Sequence, residues 1–222
     1  MAKLPPEKQS LPWSFGNTKT PQQTHEVVLP RAEYLHDTHF AATNTLLGAY
    51  LCTDIGGSLC VGKITELEIY LGDVDRASHA WQNKETPRNR VMFGPGGFVY
   101  MYLIYGIYPM FNIVTGAEGV PHAVLVRSLE PVLGIDAMKV RRGINNPRNL
   151  ANGPGKLCIA MGLTLEQYGL DLTAGKTVWL SPKTEPIEPL AGKRIGIDYA
   201  GADRDLPWRF VIKGNPFISK PV

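Results

Sequence analysis

Residues 59–71, LCVGKITELEIYL, are β-rich and alternate between apolar and polar positions, and this stretch limits the fold more than any other. Side chains on a strand repeat every two residues, so Glu66, Glu68 and Tyr70 share one face and Leu67, Ile69 and Leu71 the other. The apolar face belongs against a core. The face with two carboxylates must be wet, paired or functional, because an unpaired carboxylate is expensive to bury. Residues 97–104 and 121–129 read as strands too, and short strands return in KTVWLSP and RFVIKG. Helices are expected in LHDTHFAATNTLLGAYL, from an Asp37 cap to a Gly48 stop, in PVLGIDAMKVRRG, and in GPGKLCIAMGL behind its Gly-Pro start. These elements predict a single mixed α+β domain with a curved, mostly antiparallel β-sheet, flanking helices and a protruding β-hairpin.

Length and composition fit that reading. At 222 residues the chain is within reach of one domain, and 44% hydrophobic with 19% charged residues is too apolar for a disordered protein. Residues 1–26, rich in proline and polar side chains, read as a flexible N-terminal tail ahead of a domain over 27–222. The tail lacks the apolar stretch of a secretory signal, and no apolar run reaches the ~20 residues of a membrane helix. Cys52, Cys60 and Cys158 are an odd set without CxxC spacing, which points to a reducing, intracellular compartment: cytoplasm or nucleoid in a bacterium, nucleus in a eukaryote. The net charge of +3 permits a polyanionic partner without requiring one.

Candidate chemistry gathers in the middle of the chain. VYMYLIYGIYPMFNIV, residues 99–114, holds Tyr100, Tyr102, Tyr105 and Tyr108 ahead of Asn112. Tyr100 and Tyr108 suit a core best. Asparagine behind a strand often closes a turn. His79 in ASHAW, and Arg88 and Arg90 in TPRNRVMFGPGG, are individually weak signals. His36 and His39 around Asp37 read as a helix start, so no metal is assigned there.

Taken in order, TELEIYLG, ASHA, ETPRNRVMFGPGGFVYMYLIYGIYPMFNIV, AVLVRSLEP and NGPGKLC make the chain resemble the 3-methyladenine (alkyladenine) DNA glycosylase family from about Leu35 to Phe217. The resemblance implies a monofunctional base-excision-repair enzyme. Such an enzyme flips alkylated or deaminated purines out of duplex DNA, hydrolyses the N-glycosidic bond and leaves an abasic site. Glu68 matches the family's general base, and Arg127 in VLVRSLEP the arginine that holds the attacking water and keeps the carboxylate ionised. Tyr70, His79 and Tyr102 match the residues that sandwich the extruded base, and Asn112 matches a position at the pocket floor. Tyr105 matches the tyrosine inserted into the duplex. Backbone contacts are expected from Arg88, Arg90, Arg141 and Arg142, with Lys139, Arg148 and the Gly-Pro-Gly helix start at 153–155 nearby. No lysine falls at a motif position that would suggest a Schiff base, which implies a water nucleophile, and no cofactor is implied. The partner implied is double-stranded DNA carrying damaged purines, bound by a monomer away from any membrane.

Two other functions fit parts of the pattern. Glu66 and Glu68, about 7 Å apart on a strand, suit the roughly 6.5–9.5 Å carboxylate spacing of an inverting glycoside hydrolase. A non-catalytic nucleic-acid module could use the tyrosines as stacking platforms, at the expense of placing Glu68 near phosphates.

Overall fold

A computed structural model describes residues 24–222. The expected tail therefore lies outside the described residues except for Thr24–Glu26, a turn of 3-10 helix whose His25 carbonyl accepts from Trp179 Nε1 at 2.8 Å. Eight strands form one antiparallel sheet: β1 (Tyr50–Ile55), β2 (Ser58–Leu71), β3 (Val99–Ile104), β4 (Tyr108–Val114), β5 (His122–Leu133), β6 (Val178–Ser181), β7 (Pro189–Gly192) and β8 (Arg209–Ile212). Their order is β3-β4-β5-β2-β1-β6. β2 passes along its second edge from β1 to β8, and β7 follows β8.

Three helices, α1 (His39–Leu46), α2 (Ile135–Arg142) and α3 (Pro154–Met161), cover one face. They bring Leu46, Met138, Leu157 and Met161 against Leu67 and Ile69 of β2 and Val124 and Val126 of β5. Burial of each such side chain stabilises the fold by about 1.5–3 kcal/mol relative to exposure. The cap of α1 is Thr38 rather than Asp37: the Thr38 hydroxyl accepts from the Ala41 amide at 3.2 Å, one residue closer to the first turn. The expected second helix is shorter than its pattern, because Pro131–Leu133 continue β5 and α2 begins only after Gly134. A Cβ at Gly134 would lie 2.3 Å from the Leu59 carbonyl oxygen, so the strand-to-helix corner needs glycine.

The alternation in β2 is interrupted. Ile64 pairs with Leu129 and Glu66 with Ser128, so Thr65 is an extra residue on β2; Leu67 then pairs with Val126, so Arg127 is an extra residue on β5. The bulges cancel in register but change the facing residues. Ile64 is in the core on the helix side, and so are Leu67 and Ile69, although strict alternation would place Ile64 with the glutamates. The insertion at Thr65 turns Glu66, Glu68 and Tyr70 to the opposite face. The connection 72–98 and the segment 193–208 form the walls above that face. Among the described residues no helix is long and apolar enough to cross a membrane, and Cys52, Cys60 and Cys158 are free and buried.

Candidate active site

Strand register builds the site floor. Glu68 is opposite Leu125, Leu125 opposite Asn112, and Asn112 opposite Tyr100, which gives one row across four strands. Tyr70 opposite Ala123 and Tyr102 opposite Met110 make the neighbouring rows. The small Ala123 and the recessed Leu125 leave space between the aromatic rings. The resulting cavity has a volume of about 440 Å³ and is lined by Glu68, Tyr70, His79, Tyr102 and Asn112, with Arg127 at its edge.

The two carboxylates of β2 differ sharply. Glu66, fully buried, accepts from Arg127 Nε at 2.9 Å, Arg209 Nη1 at 3.1 Å, Ser128 Oγ at 3.2 Å, and Ser219 N and Oγ at 2.6 and 2.8 Å. Burial works against its charge, but Arg127 and the Ser219 donors prevail and hold its carboxyl below the usual range. Glu68, equally buried, accepts from the Ile195 amide at 2.7 Å and the Tyr70 hydroxyl at 2.8 Å, with Arg127 Nη1 at 3.3 Å. Here burial prevails over those donors and pushes the carboxyl up. The arginine beside Glu68 was expected to set its ionisation; desolvation is the larger influence. A carboxylate of raised proton affinity facing a cavity accepts a proton well, whereas Glu66 is a saturated anchor outside the cavity lining. That difference removes the paired-carboxylate geometry on which the glycoside-hydrolase reading rests.

The walls are aromatic. His79 is exposed as a residue, but its ring nitrogens face Tyr100 Oη at 2.8 Å and Arg88 Nη2 at 3.5 Å, and the ring meets Tyr102 edge-on at 4.7 Å between centroids. Desolvation of the ring, aided by the Arg88 charge, holds its pKa at about 4, so it is neutral near pH 7. Arg88 lies 5.2 Å above the Tyr102 ring. Asn112, in mid-strand and buried, donates to the carbonyls of Tyr100 at 3.1 Å and Met110 at 3.3 Å; it does not close a turn. Tyr100 is buried as expected, but Tyr108 is 44% exposed on the hairpin rather than in the core.

The β3–β4 hairpin ends in Tyr105, 85% exposed and in the left-handed region at φ 54°, followed by Gly106 at φ 73°. Leu103, Ile104 and Ile107 are exposed beside it, so the tip is an apolar wedge at the cavity mouth. Aromatic walls, a buried carboxylate on the floor and a wedge suit a flat heterocycle taken from a stack.

A family model described as methylpurine-DNA glycosylase matches residues 33–216. The chain belongs to that family. A protein of Alkaliphilus oremlandii named "Putative 3-methyladenine DNA glycosylase" is 44% identical over 185 residues, spanning 79% of this chain and 91% of its own. A protein of the same name from Carboxydothermus hydrogenoformans is 44% identical over 197 residues, spanning 87% and 100%. The chain is thus a DNA glycosylase.

The four arginines expected at the DNA backbone occupy different settings in the glycosylase. Arg88 stands at the cavity mouth, and the exposed Arg90 pairs with Glu85 at 3.0 Å. Arg141 donates to the carbonyls of Ile55 at 2.7 Å and Ala160 at 3.2 Å, tying α2 to β1 and α3, and Arg142 gives Nε to the Leu150 carbonyl at 2.9 Å. Sequence reasoning missed the wall supplied from 193–208. Arg194, with its side chain fully buried, makes a forked ion pair with Asp75, donates to the Ile69 carbonyl at 2.9 Å, and lies 4.8 Å from the Tyr70 ring centre. It fixes the Ile195 amide against Glu68. Tyr199, also in the wall, bonds the Ala77 carbonyl at 3.2 Å.

Proposed function

We propose that residues 27–222 act as a monomeric, monofunctional glycosylase that excises alkylated or deaminated purines from duplex DNA. The observation that carries this reading is the buried Glu68 carboxylate at the floor of an aromatic cavity, 3.3 Å from Arg127. The damaged nucleotide leaves the stack, and Tyr105 fills the space behind it. Its purine enters between Tyr70, His79 and Tyr102. Arg88, which covers the Tyr102 ring in the DNA-free protein, gives up that face to the base and takes a phosphate instead. A purine made cationic by alkylation gains from the tyrosine faces and meets a neutral His79.

Glu68 accepts a proton from a water held with Arg127 while the water oxygen bonds to C1′. The C1′–N bond breaks and its electron pair goes to the purine. An alkylated purine departs neutral, while hypoxanthine must also gain a proton. Among the described residues no lysine lines the cavity, which supports water over an amine as the nucleophile. Incubation with a duplex carrying one hypoxanthine, followed by alkali, is expected to cleave the strand at that site only after alkali. Borohydride added during the reaction traps no protein–DNA adduct. Strand cleavage without alkali, or a trapped adduct, would refute the hydrolytic reading.

Asn112 sets selectivity in this scheme. Hypoxanthine and adenine-derived lesions lack the 2-amino group of guanine, and a rigid side chain beside that edge excludes guanine sterically. The two carbonyl contacts of Asn112 supply the rigidity. Asn112→Ser is expected to raise release of guanine from a G·T mismatch, where extrusion is cheapest, and to retain activity on hypoxanthine. Free guanine measured at the parent level in a variant still active on hypoxanthine would count against it.

A further inference from the structure

Residues 217–222 lie beyond the part of the chain that the family model matches, and they contain no strand or helix. They are nonetheless held closely. The Phe217 carbonyl accepts from Thr65 Oγ1 at 2.6 Å, and the Lys220 and Pro221 carbonyls accept from Arg209 Nη1 and Nη2 at 3.1 and 3.0 Å. At the centre is Ser219, whose amide and hydroxyl both donate to Glu66.

Each nitrogen of the Arg127 guanidinium has its own partner. Nε donates to Glu66, Nη1 faces Glu68 at 3.3 Å, and Nη2 donates to Ser219 Oγ at 3.4 Å. A planar fork held at two of its three nitrogens has little freedom at the third. The Ser219 hydroxyl contributes twice, by accepting from Arg127 and by donating to the carboxylate that grips Nε. Attachment of the segment to the surface alone needs none of this. On β2 and β5 the segment touches both bulged residues, Thr65 and Arg127, together with Glu66.

We propose that Ser219 is a positioning residue for base excision: the segment 217–222 orients the Arg127 guanidinium, and through it the Glu68 carboxylate. The inference rests on the function proposed above. It predicts that loss of Ser219 slows the chemical step and leaves DNA binding alone, because the segment lines no part of the cavity.

The test uses the full chain. Single-turnover release of hypoxanthine, affinity for a duplex with an abasic analogue, and thermal unfolding are measured for the parent, Ser219→Ala and Ser219→Pro. Ser219→Pro removes both donors and is expected to slow release on the order of 10²-fold, the scale of a misplaced reacting group. Ser219→Ala keeps the amide donor and loses less. Affinity stays at the parent value. The decisive comparison repeats both substitutions in an Arg127→Met background, where a residue acting through Arg127 has nothing further to remove. Should Arg127→Met not fold, Arg127→Lys, whose single nitrogen cannot fork, closes the same cycle. A parent rate in Ser219→Pro, an equal loss in both backgrounds, or a loss matched by unfolding would overturn the proposal. A parent that releases neither hypoxanthine nor 7-methylguanine, or an active Glu68→Gln, would instead overturn the function on which it rests.

Discussion

Glu68→Gln is expected to bind damaged duplex almost as the parent does and to lose excision, by on the order of 10²–10⁴ in rate. The substitution keeps the shape of the side chain and an oxygen for the Ile195 amide, and Arg127 keeps its bond to Glu66. Only the proton acceptor is removed. Single-turnover assays beside a binding titration separate the two effects, and excision at the parent rate would exclude Glu68 as the base. The pH dependence follows from the same carboxyl. Its proton affinity is raised by burial, and the base works only when ionised, so the rate falls as pH drops through a value above the ordinary glutamate range. An acid limb at the ordinary value would mean that another group is being titrated.

Tyr105→Ala is expected to weaken binding to a duplex holding a flipped or abasic-analogue nucleotide by about 1–3 kcal/mol, the scale of one lost base stack. The fold should not change. Tyr105 is 85% exposed, and alanine at φ 54° bears a similar backbone strain, so the substitution isolates the ring. Melting temperatures within error and a weakened complex together make the case, whereas equal affinity would leave the ring without a role in the duplex. A tyrosine rather than glycine in a left-handed turn, with its ring in solvent, is a sign that the side chain serves something outside the fold.

Local patterns made much of this legible before the structure. Residues 59–71 became β2 over Ser58–Leu71, the tyrosine run became a hairpin, and Gly-Pro-Gly opened α3. Each depends on neighbours in sequence. Glu68, Tyr70, His79, Tyr102, Asn112 and Arg127 were then named through motif order, and the structure brings all six to one cavity. What stayed hidden depends on contacts without a local signature. The Ile195 amide meets Glu68 across 127 residues, and a main-chain N–H carries no side-chain identity to read. Ser219 meets Glu66 across 153 residues from a segment with no periodicity. Arg141 reads in sequence as a DNA-backbone contact, and its tie to the fold leaves no local mark because the carbonyls of Ile55 and Ala160 that accept from it come from other elements. Tyr108 looked apolar enough for the core, yet belongs to a hairpin that extends past it.

The insertions at Thr65 and Arg127 also let one face of the sheet carry two more side chains than plain alternation would supply. Thr65 lies between Ile64 on the helix side and Glu66 on the cavity side, so its deletion would close the bulge and leave both neighbours on their present faces. Deletion of Arg127 would likewise leave Ser128 and Val126 where they are. A shortened chain therefore keeps its sheet right side up, and what it loses is the surplus side chain alone: at Thr65 the hydroxyl that holds the Phe217 carbonyl, at Arg127 the guanidinium that joins Glu66 to Glu68.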